Sequence, residues 1–353
     1  MKETVVAVIG CGRIAHNAHL PALGKIEGVR VKYLCDVIKE KAEALQKEFG
    51  FAEKVVTDYR EVLADPEVEA VFVLTPNFSH HAMTLEALRA GKHVLCEKPI
   101  TVSYPLSLEM AKEADACGKI LQIGVCNRFF RPVEELARMV AEGKFGKIYH
   151  VYCSFRSFRS IPGLGGAFTT KSESGGGVLI DWGVHFFDLI LYILGGANVR
   201  SVSGAAYSEM AKDMKAYRYR NMWAEDTADT ENGTNDVEDF ISGFVRTDKA
   251  NISFNGAWAQ NIEKDEMFVD LLGDKGGVRY NYCKGFTFTD GSTLQSETPE
   301  IQSENMYLCE DREFIASVRT GVKNKGNIEG VLETARLLDA IYLSAAEGRE
   351  VTL

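Results

Sequence analysis

The chain predicts an α/β architecture in two parts: a doubly wound parallel sheet, then an α+β domain built on a mainly antiparallel sheet. Three observations carry this. Through the first third, short apolar runs rich in valine and isoleucine alternate with helix-compatible stretches, the rhythm of βα units. Past Cys126 the runs lengthen, gain aromatic and β-branched residues and often alternate with a period of two, as half-buried strands do. The length of 353 residues, at roughly 150 per domain, fits two domains.

The first part opens with a strand from Thr4 to Ile9, a glycine turn at Gly10-Cys11-Gly12-Arg13-Ile14-Ala15 and a helix to about Lys25. A second strand, Val29 to Cys35, ends at Asp36, and the helix from Lys39 to Phe49 stops before Gly50. Tyr59 to Leu63 reads as a short helix, Ala70 to Leu74 as a fully apolar strand, Ser79 to Ala90 as a helix closed by Gly91, and His93 to Cys96 as a strand. A helix from Leu106 to Cys117 and a strand from Ile120 to Gly124 complete a domain of residues 1–125. In the second domain, 126–353, strands are expected at Lys147 to Phe158, Val199 to Tyr207, Val237 to Arg246, Ala250 to Gln260, Met267 to Gly273 and Gly277 to Tyr282. Helices are expected at Val133 to Glu142, Val184 to Leu194 and Ile328 to Ala346, the last able to pack back on the first domain. The polar stretch Tyr217 to Asn235 reads as a surface excursion or lid.

Composition narrows the function classes. A net charge of −10 disfavours phosphate backbones and anionic lipid, so neither nucleic acid nor membrane is an expected partner. The start, Met1-Lys2-Glu3-Thr4, is unlike a signal peptide, and the greasiest later run, Val178 to Gly196, carries Asp181, His185 and Asp188. Eight cysteines, scattered without a CxxC pair, read as reduced thiols of a cytoplasmic protein. No third or fourth ligand accompanies the Asp181/His185 pair, so no metal is expected.

The glycine turn carries the first functional signal. Between a strand and a helix, Gly10 makes the tight turn, Gly12 lets backbone approach a pyrophosphate, and Ala15 lets the helix pack close to the sheet. The helix start would face phosphates with its amides. Asp36, ending the next strand, would accept hydrogen bonds from ribose hydroxyls and repel a 2′-phosphate, which favours NAD over NADP; Arg13 and Lys39 could still serve a 2′-phosphate.

Thr75-Pro76-Asn77 and Glu97-Lys98-Pro99 end two further strands at the edge where open parallel sheets bind ligands. Gly175-Gly176-Gly177 opens a helix bearing Asp181, His185 and Asp188. With the glycine turn, with His80 after Thr75-Pro76-Asn77, and with Asn127-Arg128-Phe129 before Pro132, these segments resemble the Gfo/Idh/MocA oxidoreductase family over nearly the whole chain. The resemblance implies an N-terminal Rossmann domain, a C-terminal domain with a large open sheet, and NAD(P)-dependent oxidation of a sugar, polyol or related alcohol. It implies Lys98, Asp181 and His185 as catalytic residues and Gly10, Gly12, Arg13, Ile14, Asp36, Thr75, Pro76, Asn77, His80, Glu97 and Lys98 as the cofactor site. Homodimers or homotetramers built on the second sheet are expected, since a large apolar sheet face is hard to leave in water.

The chemistry stands without the family. Hydride leaves a carbinol carbon for nicotinamide C4 while the hydroxyl proton goes to a base, and histidine, titrating near ~6.5, suits that work. His185 is the first choice of base, with Lys98 hydrogen-bonding the reacting oxygen and Asp181 orienting Lys98 or the imidazole. Asp188 reads equally as a substrate contact or a structural acid. Substrate selection falls to Arg128 first, then Arg156, Phe158, Arg159, Trp182 and the run Arg218 to Trp223, which could be a lid, a surface loop or a subunit contact. Three readings remain: a dehydrogenase exchanging NAD; an enzyme retaining NAD for transient oxidation during glycoside cleavage or epimerisation; and a non-catalytic NAD-binding regulator.

Overall fold

The structure, a computed structural model, describes residues 3–353, which form two compact units. The first runs to Phe129 and takes in Glu304–Leu332; the second is Phe130–Ser303 with Glu333–Leu353.

In the first unit, β1 (Thr4–Ile9), β2 (Val29–Cys35), β3 (Lys54–Val56), β4 (Ala70–Val73), β5 (His93–Glu97) and β6 (Leu121–Gly124) form a parallel sheet in the order β3-β2-β1-β4-β5-β6. Every residue of β1 and β4 is buried, as expected for strands covered on both faces and written as unbroken apolar runs. The crossovers are α1 (Leu20–Leu23, continuing a π-helical turn Ala15–His19), α2 (Lys39–Phe49), α3 (Tyr59–Ala64), α4 (His80–Arg89) and α5 (Tyr104–Cys117). Gly50 and Gly118 end α2 and α5 in the left-handed conformation. The strand order reverses between β1 and β4, the switch point where such sheets take ligands.

The second unit contains α6 (Arg131–Ala141), β7 (Ile148–Arg156), α7 (Lys171–Ser174), α8 (Val184–Ile193) and strands β8 (Val199–Tyr207), β9 (Phe240–Thr247), β10 (Asn251–Ala257), β11 (Glu266–Gly273), β12 (Gly276–Asn281), β13 (Gly285–Asp290) and β14 (Ser296–Glu297). Helix α9 (Met306–Thr320) belongs to the first unit; α10 (Leu332–Glu347) and β15 (Val351–Thr352) close the chain in the second. The nine-stranded sheet is antiparallel except where β7 and β10 run parallel. Phe155 of β7 stacks on Phe186 of α8 at 5.0 Å, and Phe187 meets Phe254 of β10 edge-on at 5.0 Å. The helical stretch Lys171–Ile193 is long and apolar enough to cross a membrane, but 78% of its most apolar window is buried in the core of the second unit.

Two expectations change. The domain reading assigns everything past residue 126 to the second part, whereas Glu304–Leu332 joins the first unit through α9, which packs Phe314 and Ile315 into its core. The signals for α9 are present: Asn305 caps the amides of Tyr307 and Leu308, and Gly321 ends the helix at φ 73°. The last long helix starts at Leu332 rather than Ile328, and from Glu333 on it falls in the second unit.

Candidate active site

At the C-terminal edge of the parallel sheet the glycine turn is held by its neighbours. Gly10 donates to the Cys35 carbonyl (2.8 Å), and its φ of 99° suits glycine alone; a Cβ there would sit 2.5 Å from the Leu74 carbonyl oxygen. A Cβ on Gly12 would meet nothing within 4 Å, so this side of the turn admits a phosphate against bare backbone. The helix begins with the bond from His16 N to Gly12 O (3.1 Å). Asp36 is tied to the turn: its Oδ2 accepts the Cys11 amide and its Oδ1 the Ile38 amide, both at 2.8 Å. Val37 and Ile38 follow, 84% and 46% exposed, an apolar surface beside that carboxylate which sequence reasoning passed over. Arg13 is exposed at the helix start, and Ile14 packs on the core.

The next two loops are joined by His80. It donates from Nε2 to the Thr75 carbonyl and from Nδ1 to the Pro99 carbonyl, both at 2.8 Å, and is buried. Both ring nitrogens of His80 are committed to main chain, so its part in the site is to brace the Thr75-Pro76-Asn77 and Lys98-Pro99 loops. Two donated hydrogen bonds need two ring protons, so this is an imidazolium. Burial alone would strip the charge, but the Cys96 sulfur and the two carbonyls outweigh it and push the pKa up to about 9. A raised histidine pKa stabilises the fold fully below its unfolded value of 6.5 and loses that contribution as pH climbs towards about 9. In urea unfolding, the stability advantage of wild type over His80→Gln should therefore shrink across that window; parallel pH dependences would show the ring to be uncharged.

Glu97 is also engaged within the first unit. It is buried, its Oε2 accepting the Lys98 amide (2.9 Å) and its Oε1 lying 3.1 Å from His19 Nε2. Lys98 itself is half-buried, at the edge where Thr75, Pro76 and Asn77 also lie.

In the second unit the Gly175-Gly176-Gly177 run ends on a buried acid. Glu238 accepts the amides of Gly177 (Oε2, 2.9 Å) and Leu179 (Oε1, 3.0 Å) and the Tyr342 hydroxyl (Oε1, 2.9 Å). Any side chain on Gly177 would collide with the Glu238 carbonyl. Burial pushes the Glu238 carboxyl above its ordinary range against the pull of those donors. From Gly176 to Leu191 every residue is buried except Asp181, Trp182 and His185. Asp181 and His185 are four apart and so share a helix face. The Trp258 indole donates from Nε1 to Asp181 Oδ2 (3.2 Å). Asp188 is buried and accepts the Thr334 hydroxyl (3.1 Å).

The two first choices for substrate selection are both held by partners within the protein. Arg128 is buried and donates to the carbonyls of Lys325 (2.8 Å) and Gly330 (2.7 Å), fastening the late segment of the first unit. Arg156 pairs with Glu266 on β11 (2.6 Å). Strand alternation turns it to the opposite face from Phe155, away from the α8 side that carries Asp181 and His185. Phe158, Arg159, Tyr217, Arg218 and Arg220 line one groove, with Tyr217 turned inward beneath the Arg159 guanidinium (5.6 Å) and Trp223 about half exposed.

The model of the Gfo/Idh/MocA oxidoreductase family, NAD-binding Rossmann fold, matches residues 4–125, and that of the Gfo/Idh/MocA C-terminal domain matches residues 133–279. The chain belongs to the Gfo/Idh/MocA family. It is an oxidoreductase whose first unit is an NAD-binding Rossmann domain. Among its relatives are D-glucoside 3-dehydrogenase of Escherichia coli, 29% identical over 350 residues that span 99% of this chain and 97% of that one. NAD-dependent scyllo-inositol 2-dehydrogenase of Bacillus subtilis is 32% identical over 198 residues, 56% of each chain. In fold, this Gfo/Idh/MocA chain matches levoglucosan dehydrogenase, solved with NADH and levoglucosan, at a TM-score of 0.86 and 20% identity over 100% of this chain and 99% of the other. The residues of the first unit fit NAD: a glycine turn open at Gly12, an acid fixed where ribose hydroxyls would lie, and no basic side chain between Asp36 and Ile38.

Proposed function

We propose that this Gfo/Idh/MocA enzyme oxidises a ring hydroxyl of a sugar, polyol or glycoside, with Lys98, Asp181 and His185 as its catalytic residues. The observation that carries the assignment is the helix buried from Gly176 to Leu191 except at Asp181, Trp182 and His185, since a core helix does not spend an acid and a histidine on one accessible face without use for them. NAD, when bound, supplies the nicotinamide C4 that accepts hydride. Lys98 donates a hydrogen bond to the reacting oxygen and stabilises the charge that develops on it. His185 takes the hydroxyl proton, and Asp181, held by the Trp258 indole, steadies the imidazole four residues on. In the reverse direction the same groups protonate a carbonyl. The names of the glucoside and inositol dehydrogenases among its relatives support the substrate class.

The face of the second sheet opposite α8 carries Tyr152, 49% exposed, with His150, Phe244 and Phe268, and supports a homodimer or homotetramer built on it. All eight cysteines are free thiols, in keeping with a cytoplasmic enzyme.

NADH absorbance during incubation with methyl glucosides, free hexoses, inositols and sugar acids tests the reading, alongside mass spectrometry of the purified protein for retained nucleotide. Oxidation of one class by added NAD supports it; no turnover with retained NAD would favour the closed redox cycle. Asp36→Ala should weaken NAD binding by roughly tenfold, the worth of a charged hydrogen bond, and narrow the preference over NADP. An unchanged ratio of kcat/KM for the two cofactors would remove Asp36 from the ribose site.

A further inference from the structure

Behind Lys98 lies a buried chain of ionisable groups that the mechanism above does not use. His19, on the π-helical turn after the glycine motif, is fully buried, with Phe72 and Tyr307 edge-on to its ring at 5.7 Å each. Its Nδ1 lies 2.9 and 3.2 Å from the two carboxylate oxygens of Asp311, on α9, and its Nε2 lies 3.1 Å from Glu97 Oε1. The other Glu97 oxygen accepts the Lys98 amide at 2.9 Å. The path from Asp311 to the Lys98 main chain is thus unbroken, and its members are drawn from three elements of the first unit.

We propose that His19 and Asp311 are positioning residues for Lys98, acting through Glu97. The proposal rests on the reading of Lys98 as the residue that touches the reacting oxygen.

Stability does not account for the arrangement. An imidazole between two carboxylates inside a core costs more desolvation than a well-packed apolar filling, and replacing such clusters by apolar groups is often neutral or stabilising. What the cluster supplies is direction. Both ring nitrogens face carboxylate oxygens, so both bonds are made only with two protons shared among the three groups, and that fixes the plane of the Glu97 carboxylate. Burial opposes the charge on His19, but Asp311 and Glu97 outweigh it and hold its pKa well above the ordinary value. The carboxylate in turn fixes the Lys98 amide, and with it the direction in which the lysine side chain leaves the end of β5. A misplacement of about 1 Å at a reacting group can cost roughly a hundredfold in rate.

The test uses the full chain with NAD and the panel sugar that wild type oxidises fastest, in Asp311→Asn and His19→Gln. Each should lower kcat by about ten- to a hundredfold while KM for the sugar and Kd for NAD stay within about threefold. The double variant should be little worse than either single one, because both act through one path. Nitrogen-edited proton NMR of wild type should show two slowly exchanging His19 ring N–H signals, and Asp311→Asn should lose the Nδ1 signal. Unchanged kcat in folded single variants overturns the proposal. A parallel loss of NAD affinity and kcat, or failure of both variants to fold, overturns it in favour of a purely structural cluster. Should Lys98→Met keep its turnover, the assignment of Lys98 falls instead; a dead Lys98→Met beside fully active Asp311→Asn and His19→Gln leaves that assignment standing and removes only the positioning role.

Discussion

Lys98→Met should lower kcat by about 10³-fold or more while leaving the Kd for NAD within about threefold. The methionine keeps the length and apolar stem of the side chain but cannot donate to the reacting oxygen or share its proton. The glycine turn and Asp36, which in this account would carry the cofactor's phosphates and ribose, stand at the ends of other strands and are untouched by the change. Single-turnover kinetics with saturating NAD separates the two quantities. Turnover within about tenfold of wild type would remove Lys98 from the proton-handling group and leave His185 as the residue next to be tested.

Glu238→Leu should destabilise the protein by about 4 kcal/mol, a large share of the stability of an ordinary domain. The leucine fills the volume but strands the amides of Gly177 and Leu179 and the Tyr342 hydroxyl, which now converge on the carboxylate. Those amides open the helix that presents Asp181 and His185, so the change also loosens the face proposed to be catalytic, and kcat should fall further than the unfolded fraction explains. Urea denaturation gives the stability, and activity at low urea gives the second effect. A loss below about 1 kcal/mol would mean that solvent or another acceptor reaches these donors in the variant.

How much of this was legible in the sequence follows the range of each interaction. The glycine turn and Asp36 announce themselves because they lie within one βα unit, where local spacing and the conformational demand at Gly10 decide the outcome. The Asp181/His185 face is legible for the same reason, four residues being one helical turn. The partners of Arg128 and Arg156 were not legible, because a sequence position does not say which way a guanidinium turns. In the first case two main-chain carbonyls some two hundred residues later, and in the second a carboxylate across the sheet, claim the charge. His19 and Asp311 were out of reach altogether, because 292 residues separate them and nothing local marks either as half of a pair. Glu238 was hidden in the same way, because 61 residues separate it from Gly177. The transfer of Glu304–Leu332 to the first unit was missed for a different reason: α9 carries both its caps in the sequence, yet a cap defines a helix and says nothing of which sheet it will cover.

The central claim, that a ring C–H of a sugar or polyol delivers hydride to NAD under the control of Lys98 and His185, is tested most directly by isotope transfer. Ring-deuterated methyl glucoside and inositol would be incubated with the enzyme and NAD, and the NADH formed would be weighed by mass spectrometry. The account predicts NADH carrying deuterium at C4, formed by wild type and not by Lys98→Met or His185→Ala. Unlabelled NADH, or deuterated NADH formed equally well by the two variants, would contradict it.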